Sequence, residues 1–264
     1  MIGQDKLLNR LKSYSLFEFP HSILLIGEEG CGKHTVVDEI SKYFDFELMD
    51  ITDMISLDTI IEINQRLVPT VYLINMNSLT DREQNIILKF LEEPSPYAYI
   101  MLISEGTHNL LGTIVNRCIL FEFEPYTKEQ LSTFYKGEHL DSVLKICSTP
   151  GQVLSINGNK LEDMLKGCND IKNILKVSYY ESRLITNSIN LNNEYDKYDL
   201  KVFLRALLNS LYSSYLETRD DTDYKLYLLV DSEVRKLRDS RLNREKFLLS
   251  LITKMWRIVN GQET

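Results

Sequence analysis

Between Cys168 and Asn260 the 264-residue chain has neither glycine nor proline. These residues punctuate strands and tight turns, so their absence excludes a β-rich second half and leaves helices joined by polar turns. Cysteine is scarce and scattered. Cys31, Cys118, Cys147 and Cys168 form no CxxC pair, which argues against a structural zinc site and a disulfide framework. His21, His34, His108 and His139 show no metal-ligand spacing, so no metal is expected, and nothing suggests a Ser-His-Asp or Cys-His site. Long apolar runs are missing too: Ile23–Ile26 and Ile100–Ile103 fall far short of the ~18–20 residues that span a bilayer. The opening MIGQDKLLNRLK carries charge where a signal peptide needs an apolar stretch. A cytoplasmic, reducing location without a membrane partner is the expectation. There is no excess of positive charge either: 30 Lys and Arg face 38 Asp and Glu, for a net charge of −8. That disfavours a free-standing DNA-binding domain, and leaves a protein partner, a small ligand, or DNA touched within a larger assembly.

What is present describes an ordinary globular chain, 44% apolar and 26% charged, with length for two domains and a small third module. All six prolines lie in the first 150 residues. There, short apolar runs at Ser22–Ile26, Phe46–Ile51, Val71–Ile74, Tyr99–Ser104 and Ile119–Phe123 alternate with helical patterns at Lys33–Phe44, Leu57–Leu67 and Asp81–Leu91. Continuous apolar runs indicate strands buried on both faces, hence a parallel sheet covered by helices. The fold class is α/β over residues 1–125, then a small helical lid over 126–167, then an all-α region over 168–264. In the last, Leu200, Val202, Phe203, Ala206, Leu207 and Leu211 share one helical face, as do Phe247, Leu248, Leu251, Ile252 and Met255.

After the first strand comes Gly27-Glu28-Glu29-Gly30-Cys31-Gly32-Lys33-His34-Thr35, a G-x-x-x-x-G-K loop between strand and helix. In such a loop glycines let the backbone fold around phosphates, amides point inward and the lysine reaches the terminal phosphates. The candidate nucleotide-binding residues are therefore Gly27, Gly30, Gly32, Lys33, His34 and Thr35. Yet His34 stands where a hydroxyl normally ligates Mg²⁺, and imidazole suits that hard cation poorly. Thr35, about 100° further round the helix, is a poor substitute. After Val71–Ile74 the chain offers Asn75-Met76-Asn77 where an acidic pair would hold Mg²⁺ or activate water. Asn75 marks that degenerate acidic position. ATP or ADP held without hydrolysis is the expectation.

At this point the sequence resembles bacterial DNA polymerase III clamp loader subunits of the AAA+ class, the delta-prime type above all. Gly3-Gln4 with Leu8 and Leu11 resembles the family's opening. Leu79-Thr80, Asn85, Leu88-Lys89 and Leu91-Glu92-Glu93-Pro94 resemble its "LT…N…LLK…LEEP" signature. Gly112-Thr113-Ile114-Val115-Asn116-Arg117-Cys118 looks like its "SRC" motif, with Asn116 in place of serine. Ser148-Thr149-Pro150-Gly151-Gln152-Val153-Leu154 has glycine where the hydrolysing members carry a lid arginine, and the cysteine-rich zinc insertion of many relatives is missing. The resemblance implies a AAA+ core, a lid and an oligomerisation collar in a hetero-oligomeric ring. Such a subunit, without ATPase of its own, would serve DNA replication. Its partners would be ATPase and delta-type subunits, the sliding clamp and primed DNA. The alternative is an active ATPase subunit of a compact loader; a nucleotide kinase is disfavoured by the LEEP and Asn-Arg-Cys motifs.

Arg117, ahead of an apolar strand and read at the mouth of the sheet, is either a surface ion pair or, as the resemblance implies, a finger for a neighbour's nucleotide. Glu92 and Glu93 end a helix, where negative charge is disfavoured by roughly 0.3–1 kcal/mol each. They are solvated caps before Pro94, or serve some use beyond the helix. Between Glu233 and Arg257, eight basic residues (Arg235, Lys236, Arg238, Arg241, Arg244, Lys246, Lys254, Arg257) face three acidic ones, either a solvated helix face or a contact for DNA or an acidic partner. Trp256, Tyr179 and Tyr180 read as core or interface rather than base-stacking residues.

Overall fold

The computed structural model describes residues 2–156, 168, 171, 175, 197–236 and 244–261. The chain divides into two compact units, Met1–Tyr126 and Thr127–Thr264.

The first unit is built on five strands: β1 (Ser22–Ile26), β2 (Glu47–Asp50), β3 (Thr70–Asn75), β4 (Ala98–Ser104) and β5 (Ile119–Glu122). They form one sheet in the order β2-β3-β4-β1-β5, and every pairing is parallel. Between them run α2 (Lys33–Phe44), α3 (Leu57–Asn64), α4 (Asp81–Glu92) and α5 (Gly112–Val115), with α1 (Asp5–Lys12) preceding β1. Successive side chains of a strand point to opposite faces, and this alternation sorts the core in two. Ile23 and Leu25 of β1, Val71 and Leu73 of β3, and Met101 and Ile103 of β4 pack with Leu8 and Leu11 of α1 and Val36, Val37 and Ile40 of α2. Leu24, Tyr72, Ile74, Ile100 and Leu102 pack on the other face with Ile60 and Ile63 of α3, Ile87 and Phe90 of α4, and Ile114 of α5. The apolar runs of β1, β3 and β4 are thus buried on both faces, as expected. β2 and β5 differ. Each pairs on one side only, and most of their residues are exposed or half-buried, because an edge strand lacks a neighbour to cover it.

Local chemistry fixes the ends of these helices. The Thr80 hydroxyl accepts from the Glu83 amide while the Glu83 carboxylate accepts from the Thr80 amide, a capping box that starts α4 at the "LT" of the signature. α3 stops at Asn64, short of the expected Leu67, and the Asn64 side-chain carbonyl accepts from the Ser95 amide at 3.1 Å.

The second unit contains α6 (Lys128–Ser132), α7 (Leu140–Ile146), α8 (Pro150–Ser155), α9 (Lys197–Thr218), α10 (Asp221–Lys236) and α11 (Arg244–Val259). All eleven residues assigned to its apolar faces are buried. Gln152, fully buried in α8, accepts from the Arg205 guanidinium of α9 at 2.9 Å and from the Ser148 amide at 2.9 Å. The segment with glycine in place of a lid arginine is thereby bonded into its own unit. The expected boundary at 167/168 touches residues outside those described, as do Tyr179, Tyr180, Arg238 and Arg241. Residues 237–243 of the basic stretch lie outside those described; within it, Lys254 of α11 is paired with Glu233 of α10 at 3.0 Å.

The "GQ" opening has a structural role. Gln4 is 2% exposed; its amide donates to the Glu124 carbonyl at 2.8 Å and its carbonyl accepts from the Glu124 amide at 3.1 Å. Gln4→Ala leaves both backbone groups unpaired and is expected to lower stability by about 1–3 kcal/mol. Lys6→Ala, which removes an ion pair between exposed side chains, should change it by less than about 0.5 kcal/mol. Urea denaturation of both variants checks this.

Candidate functional site

The loop after β1 occupies the carboxyl edge of the sheet, where open parallel sheets bind ligands. Its root is bonded on both sides: the Gly27 amide donates to the Ser104 carbonyl at 3.1 Å, and the Phe123 amide to the Ile26 carbonyl at 2.8 Å. A Cβ on Gly27 would lie 2.7 Å from Cys31 Sγ and 2.9 Å from the Phe123 Cβ, so the close approach requires glycine. Gly30 and Gly32 have φ of 81° and 99°, left-handed conformations that favour glycine and turn the chain into α2. Tyr126, which the sequence reading did not single out, donates its hydroxyl to the Cys31 carbonyl at 2.7 Å.

Lys33 is 7% exposed. Its ammonium donates to the Gly27 carbonyl at 2.5 Å and the Glu28 carbonyl at 3.0 Å, folded onto the loop that would cradle a phosphate. His34 and Thr35 are exposed on the first turn of α2. The cradle of glycines, amides and lysine suits phosphate. The donors at the cation position do not suit Mg²⁺, because imidazole and a neutral amide stand where hydroxyl and carboxylate oxygen are needed. Asn75 is engaged elsewhere. Its side-chain oxygen accepts from the Asn77 amide at 3.1 Å, and its own amide donates to the Thr52 hydroxyl at 2.9 Å. Asn77 in turn accepts from the Ser104 hydroxyl at 3.2 Å and the Glu105 amide at 3.1 Å. Amides thus tie the ends of β3 and β4 together beside the root of the loop.

Arg117 lies elsewhere. β5 pairs with β1 so that Ile119 is opposite Ile23 and Glu122 opposite Ile26. Arg117 therefore precedes the amino end of β5, at the edge of the sheet away from the loop, and its placement at the mouth of the sheet is corrected. Ile23 to Ile26 alone separates the two edges by roughly 10 Å. In the parallel sheet the strand that follows the motif starts at the amino edge, a fact of register that local pattern does not carry. The guanidinium donates to the Glu92 carboxylate at 2.7 Å and to the Thr113 carbonyl at 3.1 Å. Arg117 and Glu92 thus form an ion pair whose side chains are 38% and 45% exposed. Cys118, next in sequence, turns inward against the core under α3 and α4, and burial pushes its thiol up to about 12. The Arg-Cys pair thus combines an inward anchor and an outward charge.

A parallel sheet with helices on both faces, a glycine-rich loop after an interior strand and a helical second unit define an α/β P-loop fold. A DNA polymerase III gamma subunit-related protein from Thermotoga maritima shares that fold, with a TM-score of 0.55 and 18% identity over 97% of this chain and 99% of that one. Residues 52–127 match the family described as DNA polymerase III, delta subunit. Two curated relatives are DNA polymerase III subunits delta-prime of Buchnera aphidicola. That of subspecies Baizongia pistaciae is 33% identical over 76 residues, 29% of this chain and 23% of that protein. That of subspecies Schizaphis graminum is 26% identical over 116 residues, 44% of this chain and 34% of that protein. The chain therefore matches about a quarter to a third of the length of these relatives. The matched segment, residues 52–127, contains both the LEEP and the Asn-Arg-Cys motifs. Among the described residues no helix is long and apolar enough to cross a membrane.

The Cys118 thiol gives a pH prediction. In the unfolded chain it ionises near 9.0, whereas the folded protein keeps it protonated to about 12. Burial likewise raises Tyr72, Tyr99 and Tyr126. The unfolded state loses these protons first, so stability is complete below pH 9 and falls as pH rises from 9 towards 12. Cys118→Ala should shift the alkaline unfolding midpoint upward. At pH 8 native Cys118 should carry ~10³-fold less thiolate than an unburied cysteine and alkylate correspondingly slowly.

Proposed function

We propose that this chain is a non-hydrolysing subunit of a DNA polymerase sliding-clamp loader that presents Arg117 to nucleotide held by a neighbouring ATPase subunit. One observation carries the reading: Arg117 and the phosphate loop lie at opposite edges of the same sheet. An exposed arginine so far from its own loop has no route to a nucleotide bound there. A partner's loop brought to the amino edge would meet it. Support for the first half of the proposal comes from His34 and Asn75, whose donors suit Mg²⁺ poorly, and from the internal bonding of Asn75 and Asn77. In the ring, the guanidinium would stabilise charge developing on the transferred phosphoryl group, an effect worth roughly 10³–10⁵ in rate. ATPase and delta-type subunits, the clamp and primed DNA are the partners this reading requires. The cytoplasm is its setting.

The isolated chain is expected to show no ATPase above background, with clamp and DNA present or absent. His34→Thr with Asn75→Asp should not create it, since no catalytic glutamate follows Asn75 and Gly151 replaces the lid arginine. Steady turnover that vanishes in Lys33→Ala would instead favour the active-ATPase alternative. In a reconstituted loader, Arg117→Ala should leave folding, assembly and ATP binding nearly unchanged and abolish clamp loading. Arg117→Lys should rescue poorly, because an ammonium lacks the planar fork that fits phosphate oxygens. Full loading by the alanine variant would overturn the proposal.

A further inference from the structure

Glu92 and Arg117 are 25 residues apart in sequence, yet one helix controls both the backbone and the charged end of the arginine. Near the start of α4, Gln84 is 3% exposed. Its amide donates to the Asn109 carbonyl and its carbonyl accepts from the Leu111 amide, each at 3.0 Å. Leu111 is the residue that opens α5, so this buried pair of bonds fixes the segment leading to the arginine. In the last turn of α4, Glu92 takes the guanidinium Nη2 at 2.7 Å. The Thr113 carbonyl of α5 takes Nη1 at 3.1 Å. Two of the five guanidinium N–H donors are thus engaged. The other three remain for an anion.

We propose that Glu92 is the positioning residue for Arg117: with the Thr113 carbonyl it fixes the plane of the guanidinium, so that the arginine is aimed before any phosphate arrives. This rests on the reading of Arg117 as an arginine that acts on a neighbour's nucleotide. The physical argument is entropic. An unheld arginine samples many rotamers and must lose that freedom on meeting the phosphate, whereas a held one has lost it on folding. The position of Glu92 fits such a use. A carboxylate in the last turn opposes the helix dipole and Glu93 follows it at the C-cap, so helix stability alone does not favour an acid there. The pair is half exposed and contributes little to folding, which makes its removal a test of aim rather than of fold.

The test uses the whole reconstituted loader. ATP-driven clamp loading is measured against ATP concentration for Arg117→Ala, Glu92→Gln, Glu92→Asp and the Arg117→Ala/Glu92→Gln double variant. Glu92→Gln is expected to lower the rate at saturating ATP roughly three- to tenfold. The ATP concentration for half-maximal rate and the melting temperature of the isolated chain should stay unchanged. Glu92→Asp should fall between wild type and Glu92→Gln, and the double variant should be no worse than Arg117→Ala alone. Wild-type loading by Glu92→Gln, a faster rate, a shift in half-maximal ATP only, or a double variant worse than Arg117→Ala would each overturn the positioning role. Those outcomes leave Arg117 as the acting residue if its alanine variant is dead. If Arg117→Ala loads at full rate, the parent reading fails, and this inference fails with it.

Discussion

All neighbouring strands of the sheet run parallel, with β1 held between β4 and β5, and the first unit's chemistry depends on that constraint. Every segment that leaves a strand does so at one edge, and every segment that enters a strand arrives at the other. The phosphate loop leaves β1 and Asn75 ends β3, so they share the carboxyl edge. Arg117 enters β5, and the end of α4 has already returned to the amino edge ahead of β4. The loop and Arg117 therefore sit at opposite edges of one sheet. The core on either face of the sheet holds that separation, because moving an edge would disturb packing on both sides of β1.

At the carboxyl edge, polarity has been turned inward. Asp50 accepts from Thr52, Thr52 accepts from the Asn75 amide, Asn75 accepts from Asn77, and Asn77 accepts from Ser104 and Glu105. A hydrolytic site needs carboxylate oxygens directed at metal and water. Here Asp50 Oδ1, the Thr52 hydroxyl and the side-chain oxygens of Asn75 and Asn77 are engaged in stitching the ends of β2, β3 and β4. Lys33 follows the same pattern, since its ammonium lies on carbonyls of its own loop.

Much of this was legible in the sequence, for identifiable reasons. Burial on two faces leaves a continuous apolar run, and β1, β3 and β4 fall where those runs predict. A helix start leaves a cap, and Thr80 with Glu83 marks that of α4. The loop was legible because few arrangements place three glycines and a lysine between a strand and a helix. Register and strand order leave no local trace, so the edge on which Arg117 stands became visible only with the pairing of Ile119 to Ile23. A surface ion pair such as Glu92–Arg117 repeats with no period and is equally silent, although the ill-placed acid at a helix end was a signal. In the basic stretch near the C-terminus, composition counts charges but not their pairing, so the bond from Lys254 to Glu233 was not legible.

The Gln4–Glu124 clasp bears on how the protein is made. It joins residues 120 positions apart, and the residue it buries lies at the start of α1. During synthesis α1 emerges well before Glu124, so the Gln4 side chain has no partner until the strand exit has also been translated. The first unit thus cannot close piecemeal from its amino end. Its final locking step waits for nearly the whole unit to leave the exit tunnel, a long-range closure of the kind that makes folding slow. Leu7, Leu8 and Leu11, by contrast, pack with β1 and α2, so the apolar face of α1 is covered by chain made long before the clasp can close.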